Sequence, residues 1–132
     1  MYYYIDGNFD LAENANIPFD DAGFLYGDGL FETMRFDRKI IFSPQKHLKR
    51  LSQGLNVIDL KIKLNSLELL ELLNTVIHKN NLNSGIIRLM ITRGSTNKES
   101  LNFNVPSIYI SIKPFYTIPS GPIKVIYLNE EN

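Results

Sequence analysis

The sequence has 132 residues, in which 14 Lys and Arg balance 14 Asp and Glu, with two His and no Cys or Trp. Zero net charge disfavours a nucleic-acid-binding protein, because that affinity comes largely from basic side chains that neutralise phosphates. The lack of Cys excludes disulfides and thiolate metal sites, and two His argue against a zinc or iron centre. With 44% hydrophobic and 21% charged residues, the composition is typical of one globular domain.

The N-terminal segment resembles neither a signal peptide nor a membrane span. It lacks a basic n-region and carries Asp6 and Asp10 where a signal peptide would be apolar. No window of the sequence reaches the roughly 20 apolar residues that a transmembrane helix needs. We therefore expect a cytoplasmic protein without a membrane partner.

The first third of the chain predicts short strands joined by tight turns. Asp6-Gly7-Asn8 is a turn signal between two strand-like runs, and Asp37-Arg38-Lys39 is another. Three Gly and three Asp over residues 18–29 predict a loop. The expected strands cover residues 2–5, 9–12, 30–36 and 40–42.

Two helices are predicted in the middle of the chain. Ser43-Pro44 is a helix start with Ser as N-cap, and leucines at 48, 51 and 55 form one apolar stripe. Gly54 interrupts that helix, which indicates either a close packing neighbour or fraying. A second helix is expected over residues 66–79, where Asn65 and Glu68 have the spacing of a capping box.

Strand-like runs return over residues 86–93, 107–113 and 123–128. Strands followed by two helices and then more strands predict an α+β fold, with a mainly antiparallel sheet and both helices packed on one side. We expect residues 1–132 to form a single domain.

Three segments contain residues suited to binding or chemistry. Residues 26–32 (YGDGLFE) place two Gly around an Asp before a strand, which fits either close backbone approach to a ligand or an ordinary tight turn. His47 and Arg50 share one helix face, which fits either a solvated basic surface or a grip on phosphate or carboxylate. Arg88 lies in an apolar strand, so we expect it to need an anion, either Glu32, Asp28 or a ligand.

Together these segments resemble one family. FDDAGFLYGDGLFETMRF, FSPQKHLKRL and GIIRLMITRG occur in the order and spacing of class IV aminotransferases, the fold-type IV enzymes that use pyridoxal 5'-phosphate (PLP). The family includes branched-chain and D-amino-acid aminotransferases and 4-amino-4-deoxychorismate lyases. The resemblance covers the family's N-terminal domain, and it implies a PLP enzyme that acts on amino acids and 2-oxo acids as a homodimer.

The resemblance also implies roles for individual residues. Arg50 matches the Arg that grips the PLP phosphate, and Phe31 matches an aromatic on the substrate side of the cofactor. Tyr26 matches a residue that reaches the neighbouring subunit's pocket, and Arg88 matches an Arg near the substrate carboxylate. Lys98 stands where D-amino-acid aminotransferases carry an Arg that traps the substrate carboxylate, as a weaker substitute.

The family's catalytic groups have no match in this sequence. The Lys that holds PLP as a Schiff base would follow the strand resembling residues 123–128, and Lys98, Lys113 and Lys124 are all misplaced for that role. The carboxylate that pairs with the pyridine nitrogen belongs to the family's second domain. We therefore expect no catalytic residue in this chain and no amino transfer by these 132 residues alone.

Three alternatives follow from the same features. The family resemblance also allows a lyase that forms 4-aminobenzoate and pyruvate. A non-catalytic binding or dimerisation module of the same fold is the second alternative, and a nucleic-acid binder built on Lys46, Lys49 and Arg50 is disfavoured by the zero net charge. An exposed apolar patch that drives self-association is expected from Phe24, Phe31, Leu89, Ile91, Tyr109 and Phe115.

Overall fold

The computed structural model describes residues 1–95, 105–115 and 120–127. Six strands form one sheet in the order β2-β1-β6-β5-β3-β4, and every strand pair in it is antiparallel. In chain order the elements are β1 (Tyr2–Ile5), β2 (Asn8–Leu11), α1 (Ala22–Tyr26), β3 (Gly29–Asp37), β4 (Ile40–Ile41), α2 (Pro44–Val57), α3 (Ser66–Asn80), β5 (Gly85–Thr92) and β6 (Ser107–Pro114). None of the helices in the described ranges has the length and apolar character that a membrane crossing requires.

The core lies between one face of the sheet and helices α2 and α3. Alternate residues of β3, β5 and β6 point towards these helices, so that Met34, Ile87 and Ile110 are buried there. The predicted stripe of α2 also faces the sheet, and Leu48, Leu51 and Leu55 are all buried. The predicted α+β fold, with the two long helices on one side, is therefore confirmed.

Helix α3 begins as the sequence predicts, whereas α2 does not. The Asn65 side chain accepts from the backbone of Glu68, and the Glu68 carboxylate accepts from the Asn65 backbone, completing the capping box. Ser43 precedes α2 in a left-handed conformation with φ 47° and makes no capping hydrogen bond. The prediction of Ser43 as a side-chain cap is wrong, and Pro44 alone marks the start.

Two further predictions about local structure need correction. Residues 18–29 contain the short helix α1, which begins at Ala22 because Asp21 caps it by accepting from the backbone N–H groups of Gly23 and Phe24. Residues 123–127 form no strand, and they are exposed. Position 128 of that predicted strand lies outside the described residues.

Two glycines mark close approaches inside the domain. A Cβ atom at Gly54 would lie 2.7 Å from Leu30 Cδ1, so the close-neighbour interpretation of Gly54 is confirmed. A Cβ at Gly85 would lie 2.3 Å from the backbone oxygen of Lys113 and 2.9 Å from the Phe36 ring. The Leu30 side chain can rotate away, whereas the β6 backbone cannot move without breaking the ladder.

We expect Gly85→Ala to destabilise the fold by about 1–3 kcal/mol, because the added methyl overlaps backbone in the interior of the sheet. Gly54→Ala is the matched control, since its overlap involves a mobile side chain and its helix propensity improves. Urea unfolding of both variants tests this. Equal loss of stability in the two variants would contradict the packing account.

Candidate cofactor and substrate site

A carboxylate, a guanidinium and an imidazole meet between β3 and α2. Glu32 lies at an inward position of β3, and its carboxylate accepts from Arg50 Nε at 2.7 Å and from Arg50 Nη2 at 2.7 Å. His47, one turn before Arg50 on α2, lies with Nδ1 2.6 Å from Glu32 Oε2. Because a carboxylate only accepts, Nδ1 is the protonated ring nitrogen of His47. The three side chains fix α2 against the strand.

The two charged partners of the cluster differ strongly in their exposure to solvent. Glu32 is only 5% exposed, whereas the Arg50 side chain is 71% exposed. The hydrogen bonds from Arg50 lower the pKa of Glu32 below its ordinary 4.5, outweighing burial, which acts in the opposite direction. The Glu32 carboxylate in turn raises the pKa of Arg50. Both groups are therefore charged at neutral pH.

The outer edge of Arg50 fits a phosphate group. Nε and one N–H of Nη2 are held by Glu32, so the guanidinium keeps its plane and direction. Nη1 makes no hydrogen bond within the described ranges, and together with the second N–H of Nη2 it forms a fork open to solvent. A planar, permanently charged fork is the preferred partner of a phosphate, so these residues fit the phosphate of PLP.

Phe31 and Arg88 meet on the other face of the sheet. Phe31 is 58% exposed, and the Arg88 guanidinium carbon lies 4.1 Å above its ring centroid. Arg88 itself is exposed, and it makes no ion pair with a described residue. Of the two interpretations of Arg88, the internal pair with Glu32 or Asp28 is wrong, because those carboxylates hold Arg50 and Arg93 instead. The interpretation as a ligand contact stays a prediction.

The Glu32–Arg50 pair and the Phe31–Arg88 pair lie on either side of the outer edge of β3. The two-residue β4 pairs only with Phe36 and Asp37 of β3, which leaves the outer edge of β3 from Gly29 to Met34 without a partner strand among the described residues. Arg50 lies on the helix side of this edge, and Phe31 lies on the open side. A flat group lying along the edge would therefore meet cationic and aromatic side chains from both faces.

Asp21 organises the loop that precedes this edge. Its fully buried carboxylate accepts from Tyr109 at 2.8 Å and from Thr92 at 2.7 Å, in addition to the two α1 amides. Burial, together with Asp21, raises the pKa of Tyr109 to about 12, so the phenol stays protonated and donates. Beside it lies an apolar cavity of about 370 Å³, lined in part by Phe31 and Met90.

A second ion pair, between Arg93 and Asp28, lies just after the end of β5. Arg93 Nε donates to Asp28 at 2.6 Å, and Nη2 donates to the backbone oxygen of Ile58 at 2.7 Å. Arg93 thus joins the turn before β3 to the end of α2, where free helix carbonyls favour a positive charge. The Gly27-Asp28-Gly29 turn is held at its centre by this contact.

The remaining predicted site residues are not brought into the Arg50 cluster. Tyr26 ends α1 and is 73% exposed, and Lys98 lies outside the described residues. The predicted apolar patch is wrong in part, because Leu89, Ile91 and Tyr109 are buried within the domain. Phe24 and Phe31 are exposed as expected, and Phe115 is half-buried beneath the Arg35 guanidinium.

Sequence reasoning missed the partner of Arg50. Glu32 alternates with Leu30, Met34 and Phe36, so the acid occupies an inward position of an otherwise apolar strand. A carboxylate there requires a cation from the helix layer, and the basic face of α2 supplies one. Asp21 gave no comparable signal, because its partners Thr92 and Tyr109 are remote in the sequence.

Comparisons with known proteins identify the family. A family model described as amino-transferase class IV matches residues 29–130. A D-alanine aminotransferase of Listeria monocytogenes is 36% identical over 97 residues, which is 74% of this chain and 34% of that protein. A putative branched-chain-amino-acid aminotransferase of Methanocaldococcus jannaschii is 33% identical over 94 residues, covering 71% of this chain and 33% of that protein. The chain belongs to the class IV aminotransferase family, and it spans about a third of the length of these curated relatives.

Solved structures share the fold. The branched-chain amino acid aminotransferase of Escherichia coli superposes with a TM-score of 0.77 at 24% identity, over 86% of this chain and 40% of that one. The branched-chain aminotransferase of the archaeon Thermoproteus uzoniensis with norvaline gives a TM-score of 0.74 at 24% identity, over 88% of this chain and 41% of that one. The described architecture is therefore that of the N-terminal part of such enzymes.

The acid stability of the domain should depend on Glu32. Because its pKa is lowered in the folded state, the stabilisation is complete above the ordinary value of 4.5 and is lost as the pH falls through the folded-state value. Glu32→Gln should therefore destabilise the protein most at neutral pH, and the difference from the wild type should shrink below pH 4.5. Urea unfolding across this range measures it, and a pH-independent difference would contradict the assignment.

Asp21→Ala should cost about 3 kcal/mol of unfolding free energy, because it leaves a buried phenol, a buried hydroxyl and two helix amides without their acceptor. Asp10→Ala on the edge strand β2 is the control and should change stability little. Chemical denaturation followed by fluorescence or circular dichroism distinguishes them. A loss at Asp21 no larger than at Asp10 would contradict the role given to this carboxylate.

Proposed function

We propose that this chain is the N-terminal domain of a PLP-dependent aminotransferase that moves an amino group between an amino acid and a 2-oxo acid. The observation that carries the proposal is the Arg50 fork, which Glu32 fixes in direction and leaves open to solvent beside the free edge of β3. Membership of the class IV family supports the same conclusion.

PLP, when bound, would supply the electron sink that stabilises negative charge at the substrate's α-carbon. The residues of this chain would bind and orient. Arg50 would hold the phosphate, and Glu32 would keep the guanidinium from rotating. Phe31 would present its exposed ring to the substrate side, and Arg88, stacked on that ring, would attract the substrate carboxylate. Lys98 remains proposed as a further contact to that carboxylate.

The groups that move protons are proposed to lie outside these 132 residues. The relatives are about three times as long as the stretch they share with this chain, since that stretch is 34% of the first and 33% of the second. The lysine that holds the cofactor and the carboxylate that pairs with its pyridine nitrogen belong to that remaining length in the family. We therefore propose that residues 1–132 act as one N-terminal domain and do not transaminate alone.

Amino transfer is favoured over the lyase reaction. The relatives described above are named for amino transfer on D-alanine or branched-chain amino acids. D-alanine and branched-chain amino acids are accordingly the first donors to test. The non-catalytic module and the nucleic-acid binder have no comparable support.

A homodimer in the cytoplasm completes the proposal. Phe19, Phe24 and Tyr26 are all largely exposed on and beside α1, and Phe19 and Phe24 stack edge to face at 5.7 Å. Exposed aromatic side chains concentrated on one loop are typical of a surface that a partner covers. Tyr26 would then reach the partner's pocket.

Arg50→Ala should weaken binding of PLP by the full-length gene product much more than binding of pyridoxal, which lacks the phosphate. The physical reason is the loss of two charge-assisted hydrogen bonds, which corresponds to at least about tenfold in affinity. Absorbance titration with each compound measures the two dissociation constants.

Arg38→Ala is the control, because the Arg38 side chain is 84% exposed and its one ion pair among the described residues is with its neighbour Asp37. The control should bind PLP as the wild type does. Unchanged PLP affinity in Arg50→Ala would contradict the phosphate role, and absence of amino transfer from every donor by the wild-type gene product would contradict the proposed reaction.

A further inference from the structure

An open groove lies between the first half of helix α2 and the first turns of α3. It has a volume of about 510 Å³, and three leucines, Leu48, Leu67 and Leu70, form part of its lining. Leu48 is buried in the core and Leu67 is 65% exposed, so apolar surface extends from the floor of the groove to its rim. A single exposed leucine is ordinary, whereas apolar side chains gathered in one groove are typical of a surface that another molecule covers.

Helix α3 has more leucines than the core buries. Leu69 and Leu73 are buried in the core, whereas Leu67 and Leu70 line the groove. Leu67 and Leu70 are three residues apart, so they are neighbours on the helix surface. The exposed Glu71 follows Leu67 by four residues and therefore lies beside the same pair. The groove side of α3 is thus a leucine pair bordered by a carboxylate.

The two helices that form the groove carry opposite charges. Helix α2 has two lysines and an arginine and no Asp or Glu. The first half of α3 has Glu68 and Glu71, and its basic residues are in the last turn. Lys49 lines the groove, and no carboxylate does so among the described residues. Neither Lys49 nor Glu71 makes an ion pair with another residue that the structure describes.

We propose that this groove binds helix α3 of a second copy of the chain in a symmetric pairing. A twofold axis places α3 of each copy in the groove of the other, so every contact is made twice. Leu67 of one copy packs against Leu48 and Leu70 of the other, and the partner's Glu71 lies beside Lys49. Central leucines bordered by opposite charges also select partners in coiled coils.

A second copy fits this groove because the groove and the helix that fills it lie on one surface. The lysine on the α2 wall favours a helix that carries leucines beside carboxylates, and α3 has this composition. The twofold pairing matches Lys49 and Glu71 of both copies at once. The charge pattern of the chain therefore identifies the occupant as another copy of itself.

The pairing is independent of the proposed reaction. None of the residues that line the groove belongs to α1, to β3 or to the Glu32–Arg50 pair. The surface is therefore separate from the homodimer contact proposed for the α1 aromatics. Where both contacts form, the full-length gene product assembles beyond a dimer.

Sedimentation equilibrium of the full-length gene product over a concentration series tests the pairing. Leu67→Glu places a carboxylate at the centre of the contact and should weaken association by about tenfold, so that the wild type reaches twice the mass of this variant. Val57→Glu is the matched control, because Val57 is 84% exposed on α2 and does not line the groove. Circular dichroism verifies that both variants fold. Equal masses for the wild type and Leu67→Glu at every concentration would overturn the proposal.

A charge exchange tests the identity of the occupant. Lys49→Glu and Glu71→Lys should each weaken association by about tenfold, because each change turns two attractive contacts into repulsive ones. The double variant exchanges the two charges and should recover the wild-type association to within about threefold. Lys63→Glu, at an exposed lysine outside the groove, is the control and should associate as the wild type does. A double variant that associates no better than either single variant would overturn the proposal.

Discussion

The ion pair between Glu32 and Arg50 is the interaction on which the site depends. It joins strand β3 to helix α2 and satisfies a buried carboxylate that would otherwise be costly. It also leaves the guanidinium mostly exposed, and Nη1 makes no hydrogen bond to any residue that the structure describes. One contact thus stabilises the fold and orients a charged group, which explains why an acid occupies a core position of the strand.

The site is built along an edge rather than inside a closed pocket. The short β4 leaves most of the outer backbone edge of β3 without a partner strand among the described residues. Arg50 approaches from the helix face, and Phe31 with Arg88 approaches from the open face. Asp21 and Asp28 hold the preceding loop against β5 and β6, which places α1 and its exposed aromatics beside this edge.

Much of the fold could be predicted from local patterns. The alternation of β3 and β5, the leucine stripe of α2 and the capping box of α3 each depend on residues close in sequence. The structure differs from the sequence prediction where a residue distant in the sequence determines the local conformation. Asp21 starts helix α1 inside the predicted loop, because its side chain accepts hydrogen bonds from the first backbone amides of the helix. The Asp21 carboxylate is itself fixed by Tyr109, which is 88 positions away.

Arg88 and Glu32 illustrate the same limit within the site. The sequence pattern predicted both residues in strands and made Glu32 a candidate partner for Arg88. The two side chains point to opposite faces of the sheet, so they cannot meet. Family resemblance identified Arg50 as a candidate phosphate contact. The orientation of its guanidinium, with Nε and Nη2 donating to Glu32, could be seen only once helix α2 was packed against β3.

The most direct test is a crystal structure of the full-length gene product with PLP bound. We expect the phosphate to accept hydrogen bonds from the outer Nη1 edge of Arg50 while Nε and Nη2 remain on Glu32. A phosphate bound without contact to Arg50, or an Arg50 side chain released from Glu32 to reach it, would contradict the account.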